Sequence, residues 1–364
     1  MADKIRVLVV DDSAAIRRIV SDAINQDPDL ELAGTAPNGK IALEQLSRNK
    51  FDAITLDVEM PELDGLQTLK AIRQTHRTLP VIMFSALTER GARTTIEALT
   101  AGANDYLCKT GDGAMNAVDR VRAELIPRVK ALVAKARAWQ SPATVGAASP
   151  VATAARISLA PARSSRVEII AIGVSTGGPQ ALGELLPRLP ANLGVPVLIV
   201  QHMPALFTRM LAERLASQSK VRVEEARSGQ SPEAGLVLIA PGDYHMVLGK
   251  EIGTPRLSLN QHPHENGCRP AVDPMFRSVA DVYGDRVLGL ILTGMGVDGL
   301  RGAEAIRSKG GRIWAQDEQS SVVWGMAGAV SRASLAEQVL PLGKIADAIT
   351  EATRGGSRGG QRTS

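Results

Sequence analysis

Aromatic residues are scarce: three Trp, three Tyr and four Phe in 364 residues. A protein that stacks on exposed bases needs such rings in numbers, so a single-strand nucleic-acid platform is disfavoured. Cysteine is scarcer still. Cys108 and Cys268 lie in different halves and have no CxxC spacing. A disulfide framework and a structural zinc site are therefore not expected, and a reducing cytoplasm fits. No apolar run reaches the roughly 18–20 residues of a membrane span. The opening MADKIRVLVVDDS meets an acidic pair after six strand-like residues, unlike a signal peptide. The expected location is cytoplasmic, without membrane insertion. Charge of one sign is also missing where it would count. Residues 1–137 hold 19 basic and 19 acidic side chains, and residues 166–349 hold 18 of each. The net +4 sits in the segments outside these two. A basic face for nucleic acid is not signalled.

What is present is alternation of short apolar runs with helix-spaced segments. The length suggests two or three domains. IRVLVV (5–10), LELAGTA (30–36), AITLD (53–57), VIMFS (81–85) and DYL (105–107) read as strands, and Leu66, Leu69 and Ile72 follow a helical period. This is an α/β pattern of βαβ units, and residues 1–125 suit a flavodoxin-like domain with a five-stranded parallel sheet. Val118, Val121, Leu125, Val129, Leu132 and Val133 continue a helical pattern that Pro127 is expected to kink or interrupt. Residues 126–165 thus read as a kinked helix and a flexible Ala/Pro/Ser-rich linker. From Val167 the alternation resumes. Residues 166–352 form a second, doubly wound and mostly parallel α/β domain, and 353–364 a disordered Arg/Gly tail.

In the first domain, strand 1 runs into Asp11 and Asp12, and strand 3 ends at Asp57. Carboxyl ends of parallel strands share one edge. Three carboxylates there need a cation, and hard oxygen ligands suit Mg²⁺. Ser85 and Lys109 end strands 4 and 5 on the same edge, where a hydroxyl and an ammonium can meet a phosphoryl group. VVDDS (9–13), LDVEMPELDG (56–65), MFSA (83–86) and GANDYLCK (102–109) resemble the response-regulator receiver family. The resemblance implies that Asp57 is the phosphoacceptor. It also implies that Asp11, Asp12, Asp57 and the main-chain carbonyl of Glu59 hold the metal. The family usually has Pro after the strand-5 Lys, where this chain has Thr110.

In the second domain, IIAIGVSTGGPQAL (169–182) reads strand, sharp turn, helix, with Ser175 in a literal GxSxG. Such a turn exposes a hydroxyl beside backbone N–H groups that favour an oxyanion. A dinucleotide-binding loop is the rival reading. Its second glycine would fall on Ser175, and the next strand ends in Gln201-His202 rather than an acid. His202 is instead what a serine nucleophile needs as base. Asp298 follows a third strand in a glycine-rich loop, able to orient a histidine. The order Ser, His, Asp differs from that of α/β-hydrolases, but triads are defined by role and geometry. His245, His262 and His264 are weaker candidates and lack metal-ligand spacing.

GVSTGGP, IVQHMP, LIAPGDYHM, CRPAVDPMFRSVA and LTGMGVDGLRGAEAIRSKGGRIWAQDEQSSVVWGMA resemble the CheB-type chemotaxis methylesterases. The resemblance implies a phosphorylation-regulated enzyme that hydrolyses glutamate γ-methyl esters and deamidates certain glutamines on chemoreceptor cytoplasmic helices. It implies Ser175 as nucleophile, His202 as base and Asp298 as orienter. Thr176 would line the site, and Met295 would give a backbone N–H to the oxyanion. No cofactor is expected for ester hydrolysis, and Mg²⁺ serves only the receiver. The implied partners are the methyl-accepting receptors and the chemotaxis histidine kinase, with the unphosphorylated receiver covering the crevice through a face between Phe84 and Ala103. Ala271 stands where Ser is common in the family. The alternatives are the same chemistry in another signalling pathway, or a catalytically silent receptor-docking scaffold.

Overall fold

The computed structural model describes residues 4–109, 117–140 and 166–354. The linker expected up to residue 165 falls, from residue 141 onward, outside the described residues, as does Thr110; of the tail expected from residue 353, Thr353 and Arg354 instead belong to the last helix and the rest lies outside the described residues.

The first domain alternates strictly. Strands are β1 (Ile5–Val10), β2 (Leu30–Ala36), β3 (Ala53–Asp57), β4 (Val81–Ser85) and β5 (Asp105–Cys108). Between and after them lie α1 (Ala14–Asn25), α2 (Gly39–Arg48), α3 (Gly65–Thr75), α4 (Glu89–Thr100) and α5 (Ala117–Gln140). The sheet order is β2-β1-β3-β4-β5, all parallel. β3 and β4 are buried throughout, as strands covered by helices on both faces must be. Helix starts are set by side-chain caps. The Ser13 hydroxyl accepts from Ile16 N–H at 3.4 Å, and Asp64 and Gln67 close a capping box at the head of α3.

Pro127 does not interrupt the last helix, which runs unbroken from Ala117 to Gln140. A mid-helix proline costs about 3 kcal/mol. Here Leu125, Ile126, Val129, Leu132 and Val133 are buried in one cluster with Val7, Val9 and Ile82 of the sheet. Burying a large aliphatic side chain contributes about 1.5–3 kcal/mol, so packing on both sides of the proline outweighs it. The helix therefore belongs to the first domain past residue 125, and residues 138–140, read as linker, are helical.

The second domain is built on β6 (Ile169–Val174), β7 (Val197–Gln201), β8 (Arg222–Glu225), β9 (Leu236–Ile239), β12 (Val287–Ile291), β13 (Arg312–Gln316) and β14 (Gln338–Leu340). A separate antiparallel hairpin pairs β10 (His245–Glu251) with β11 (Thr254–Asn260). The helices are α6 (Gly178–Leu185), α7 (Ala205–Gln218), α8 (Val272–Tyr283), α9 (Leu300–Ser308), α10 (Met326–Arg332) and α11 (Leu342–Arg354). The seven strands run parallel in the order β14-β13-β12-β6-β7-β9-β8. From β6 the chain steps to β7 on one side and later returns to β12 on the other. The crevice beyond the carboxyl ends of β12, β6 and β7 is the topological switch point, where ligands bind in such sheets.

The two domains share packing. Ile96 and Leu99 of α4 fall in the same buried cluster as Leu182 of α6 and Met210 of α7. No described helix is long and apolar enough to cross a membrane.

Candidate functional site

In the first domain, the carboxylates of Asp11, Asp12 and Asp57 gather within 4.8 Å of one another, the one such grouping of potential metal ligands among the described residues. Lys109 lies between two of them, with Nζ 2.9 Å from Asp11 Oδ2 and 2.6 Å from Asp57 Oδ2. Both are short ion pairs inside a buried acid cluster. Burial raises Asp57 to a pKa of about 6, with Asp11 adding to the rise and Lys109 opposing it. Three gathered carboxylates, two of them buried, are a hard oxygen donor set that fits a divalent cation. Ser85 is buried, and its hydroxyl donates to Ala86 O at 3.2 Å. Glu59 donates its N–H to Asp57 Oδ1 at 3.2 Å and turns its carboxylate toward Arg90.

The second domain brings its three expected residues to adjacent strand ends. Val174 pairs with Gln201 in the β6–β7 ladder, so Ser175 and His202 leave the sheet side by side. His202 N–H donates to Val174 O at 3.2 Å, and Ser175 N–H to Thr293 O at 3.0 Å just beyond β12. The turn after Ser175 depends on two glycines. Gly177 sits at φ 79°, and a Cβ on Gly178 would lie 1.8 Å from Gln201 Oε1. Gln201 uses the space. Its amide donates to Ser175 O at 3.1 Å and His202 O at 3.3 Å, tying both residues together.

Asp298 bonds His202 Nε2 at 2.7 Å through Oδ2. The same oxygen accepts from Val272 N–H at 2.7 Å. Its Oδ1 accepts from Asn266 at 2.8 Å, from Gly299 N–H at 2.9 Å and from Asp273 N–H at 3.2 Å. Burial opposes the charge, yet His202 and these N–H groups hold Asp298 below the usual carboxylate range. Burial likewise opposes a charge on His202, but Asp298, aided by Cys268, raises its pKa to about 9. With Nε2 engaged by Asp298, Nδ1 is the ring nitrogen on the other side. It faces Cys268 Sγ at 3.6 Å, and the Ser175 hydroxyl makes no hydrogen bond among the described residues. Met295 is half-buried, and its N–H likewise donates to no group among the described residues. His245 is buried and bonds Pro263 O and Ala271 N–H, while His262 and His264 are exposed. Sequence spacing alone does not single out Gln201, Asn266, Cys268 or Asp273 as site residues. The Asn266-Gly267 dipeptide was the available signal, since it favours a tight turn.

The first domain docks beside this turn. Thr176 Oγ1 donates to Asp105 Oδ2 at 2.9 Å, and Gln180 Nε2 to Leu99 O at 2.9 Å and Ala103 O at 2.7 Å. Tyr106 stacks on Phe207 with ring centres 4.7 Å apart, and Arg209 pairs with Glu89 at 2.6 Å. The docking face thus includes Glu89 to Ala103, within the expected stretch, and extends to Asp105 and Tyr106.

A receiver sheet with its acid edge, fused to a doubly wound sheet carrying Ser175, His202 and Asp298 at its switch point, defines a response regulator with an enzyme-like α/β output domain. The family models agree: residues 7–117 match the response regulator receiver domain and residues 170–349 the CheB methylesterase. The protein-glutamate methylesterase/protein-glutamine glutaminase of Trichodesmium erythraeum is 48% identical over 95% of this chain and 98% of its own. That of Nocardioides sp. is 50% identical over 93% and 92%. The crystal structure of the Thermotoga maritima CheB methylesterase catalytic domain is 41% identical, covers 51% of this chain and 99% of its own, and superposes with a TM-score of 0.50. The chain belongs to the protein-glutamate methylesterase/protein-glutamine glutaminase family.

Proposed function

We propose that this protein hydrolyses glutamate γ-methyl esters, and deamidates certain glutamines, on the cytoplasmic domains of chemoreceptors, under control of phosphorylation at Asp57. The observation that carries the reading is the 2.7 Å bond of Asp298 to His202 beside the Ser175 turn. Ser175 attacks the ester carbonyl. His202 Nδ1 takes its proton and returns it to the departing methanol, while Asp298 holds the ring. Water then releases the glutamate by the reverse sequence. The N–H groups of Thr176 and Met295 face the developing oxyanion. Ester hydrolysis by this route needs no cofactor.

Asp57 receives the phosphoryl group from the chemotaxis histidine kinase, with Ser85 and Lys109 on the phosphoryl oxygens. Asp11, Asp12, Asp57 and the Glu59 carbonyl would hold Mg²⁺, which when bound neutralises charge during phosphoryl transfer. The Thr176–Asp105 bond supports a covered resting state, because a receiver residue bonds the neighbour of the nucleophile. Phosphorylation favours a state in which that contact is released. This activity belongs in the cytoplasm.

The test is methanol release from a methylated receptor cytoplasmic fragment, with and without acetyl phosphate and Mg²⁺. Release that rises with phosphodonor is the expected result. No release from folded protein in either condition overturns the esterase reading.

A further inference from the structure

The segment Glu265–Cys268 closes as a two-residue hairpin. Glu265 N–H donates to Cys268 O at 3.1 Å, and Cys268 N–H to Glu265 O at 3.0 Å. The central Asn266 and Gly267 both have positive φ, 54° and 76°, as a type I′ turn requires and Asn-Gly favours. Glu265 anchors the turn by a bidentate bond to Arg277, 2.7 Å at each oxygen. The turn delivers Cys268 to His202, and it delivers Asn266 to two acids at once. Asn266 Nδ2 donates to Asp298 Oδ1 at 2.8 Å and to Asp273 Oδ2 at 2.9 Å.

Both acids are buried. Asp273 Oδ1 is held by Gly302 N–H at 2.6 Å, so the Asn266 amide satisfies its other oxygen. Every other listener on Asp298 except His202 is a backbone N–H. Among the described residues Asn266 and His202 are the side chains that donate to this carboxylate, and an amide offers two N–H groups where two facing acids offer only acceptors.

We propose that Asn266 is a positioning residue for the reaction at Ser175, bridging Asp273 and Asp298 so that Asp298 Oδ2 stays aligned on His202 Nε2. The inference rests on the esterase reading above. The charged groups facing Asp298 are His202, Asp273 and Glu265 with its partner Arg277.

Two variants of the full chain test it. N266G keeps the left-handed turn and removes the amide. N266D keeps the size and replaces the donor by a third carboxylate. Methanol release from the methylated receptor fragment, with acetyl phosphate and Mg²⁺, is measured alongside the NMR titration of His202. N266G is expected to lose about tenfold in kcat with little change in KM, the scale of one hydrogen bond to a charged group. N266D is expected to lose more at pH 7, with the His202 midpoint moving up by about one pH unit. In N266G, where no charge is added, the midpoint is also expected to move, and a turn that only supports the fold would leave it unmoved there. Wild-type kcat in both variants, or an unmoved His202 midpoint in N266G, overturns the proposal. If the wild-type protein itself releases no methanol, the esterase reading falls, and the titration still decides the bridge in the same way.

Discussion

Asp57 ends β3 and Asp298 lies in the loop beyond β12, and both are almost fully buried, at 1% and 2% exposure. They have opposite electrostatics. Asp57 is raised to about 6 because burial removes water and a shared lysine is its main compensation. Asp298 is lowered because five donors surround it. Burial alone does not set a carboxylate's chemistry; the number of donors does. The under-satisfied acid is suited to react and to take a cation. The saturated one is suited to hold a partner still.

The largest effects are expected at the proposed nucleophile and its orienter. Ser175→Ala should lower methanol release by about 10⁴-fold or more, and Asp298→Asn by about 10³–10⁴-fold, because the ring loses its aligned acceptor. Single-turnover assays on folded variants check both, and ordinary activity in either sinks the triad. The next effect is in pH. His202 must be neutral to accept a proton, and its pKa is raised to about 9. The rate should therefore climb from pH 7 to pH 9, on the order of 50-fold if the covered state persists. A flat profile over that range would show that the base works from a different environment.

The receiver acid sharpens the contrast through stability. A raised carboxylate favours the fold while protonated. Its penalty is absent below the unfolded value of 3.8, grows toward about 6 and is fully present above. Asp57→Asn should stabilise the receiver by about 1–2 kcal/mol at pH 7 and by nothing at pH 4, read from denaturant midpoints. It should also abolish the response to acetyl phosphate. Smallest is the domain contact. Asp105→Ala removes the acceptor of Thr176 and should raise the unphosphorylated rate a few-fold, the scale of one modest hydrogen bond. An unchanged rate would detach that bond from the covered state.

Strand ends were legible in the sequence because an apolar run with a polar terminus fixes where a parallel strand stops, and parallel strands share an edge. That logic found Asp11, Asp57, Ser175, His202 and Asp298. It could not find Gln201 as a brace, because its role depends on the space left by Gly178. Asn266 lies 32 residues from its acid partner, and only the folded chain brings them together. Pro127 misled for a related reason. Local propensity argues for a break, and the buried residues on either side decide otherwise.

The use of Nε2 by Asp298 has a mechanical side. Nδ1 is bonded to Cγ and so is the ring nitrogen nearer the main chain. His202 is also hydrogen-bonded through its own N–H to Val174, the residue before the serine. The register of two neighbouring strands thus sets the spacing of the main-chain segments that carry the two side chains. Anything that slides β7 against β6 acts as a length adjustment on proton transfer, and helix α7, which carries Phe207 against the receiver's Tyr106, begins four residues after β7 ends.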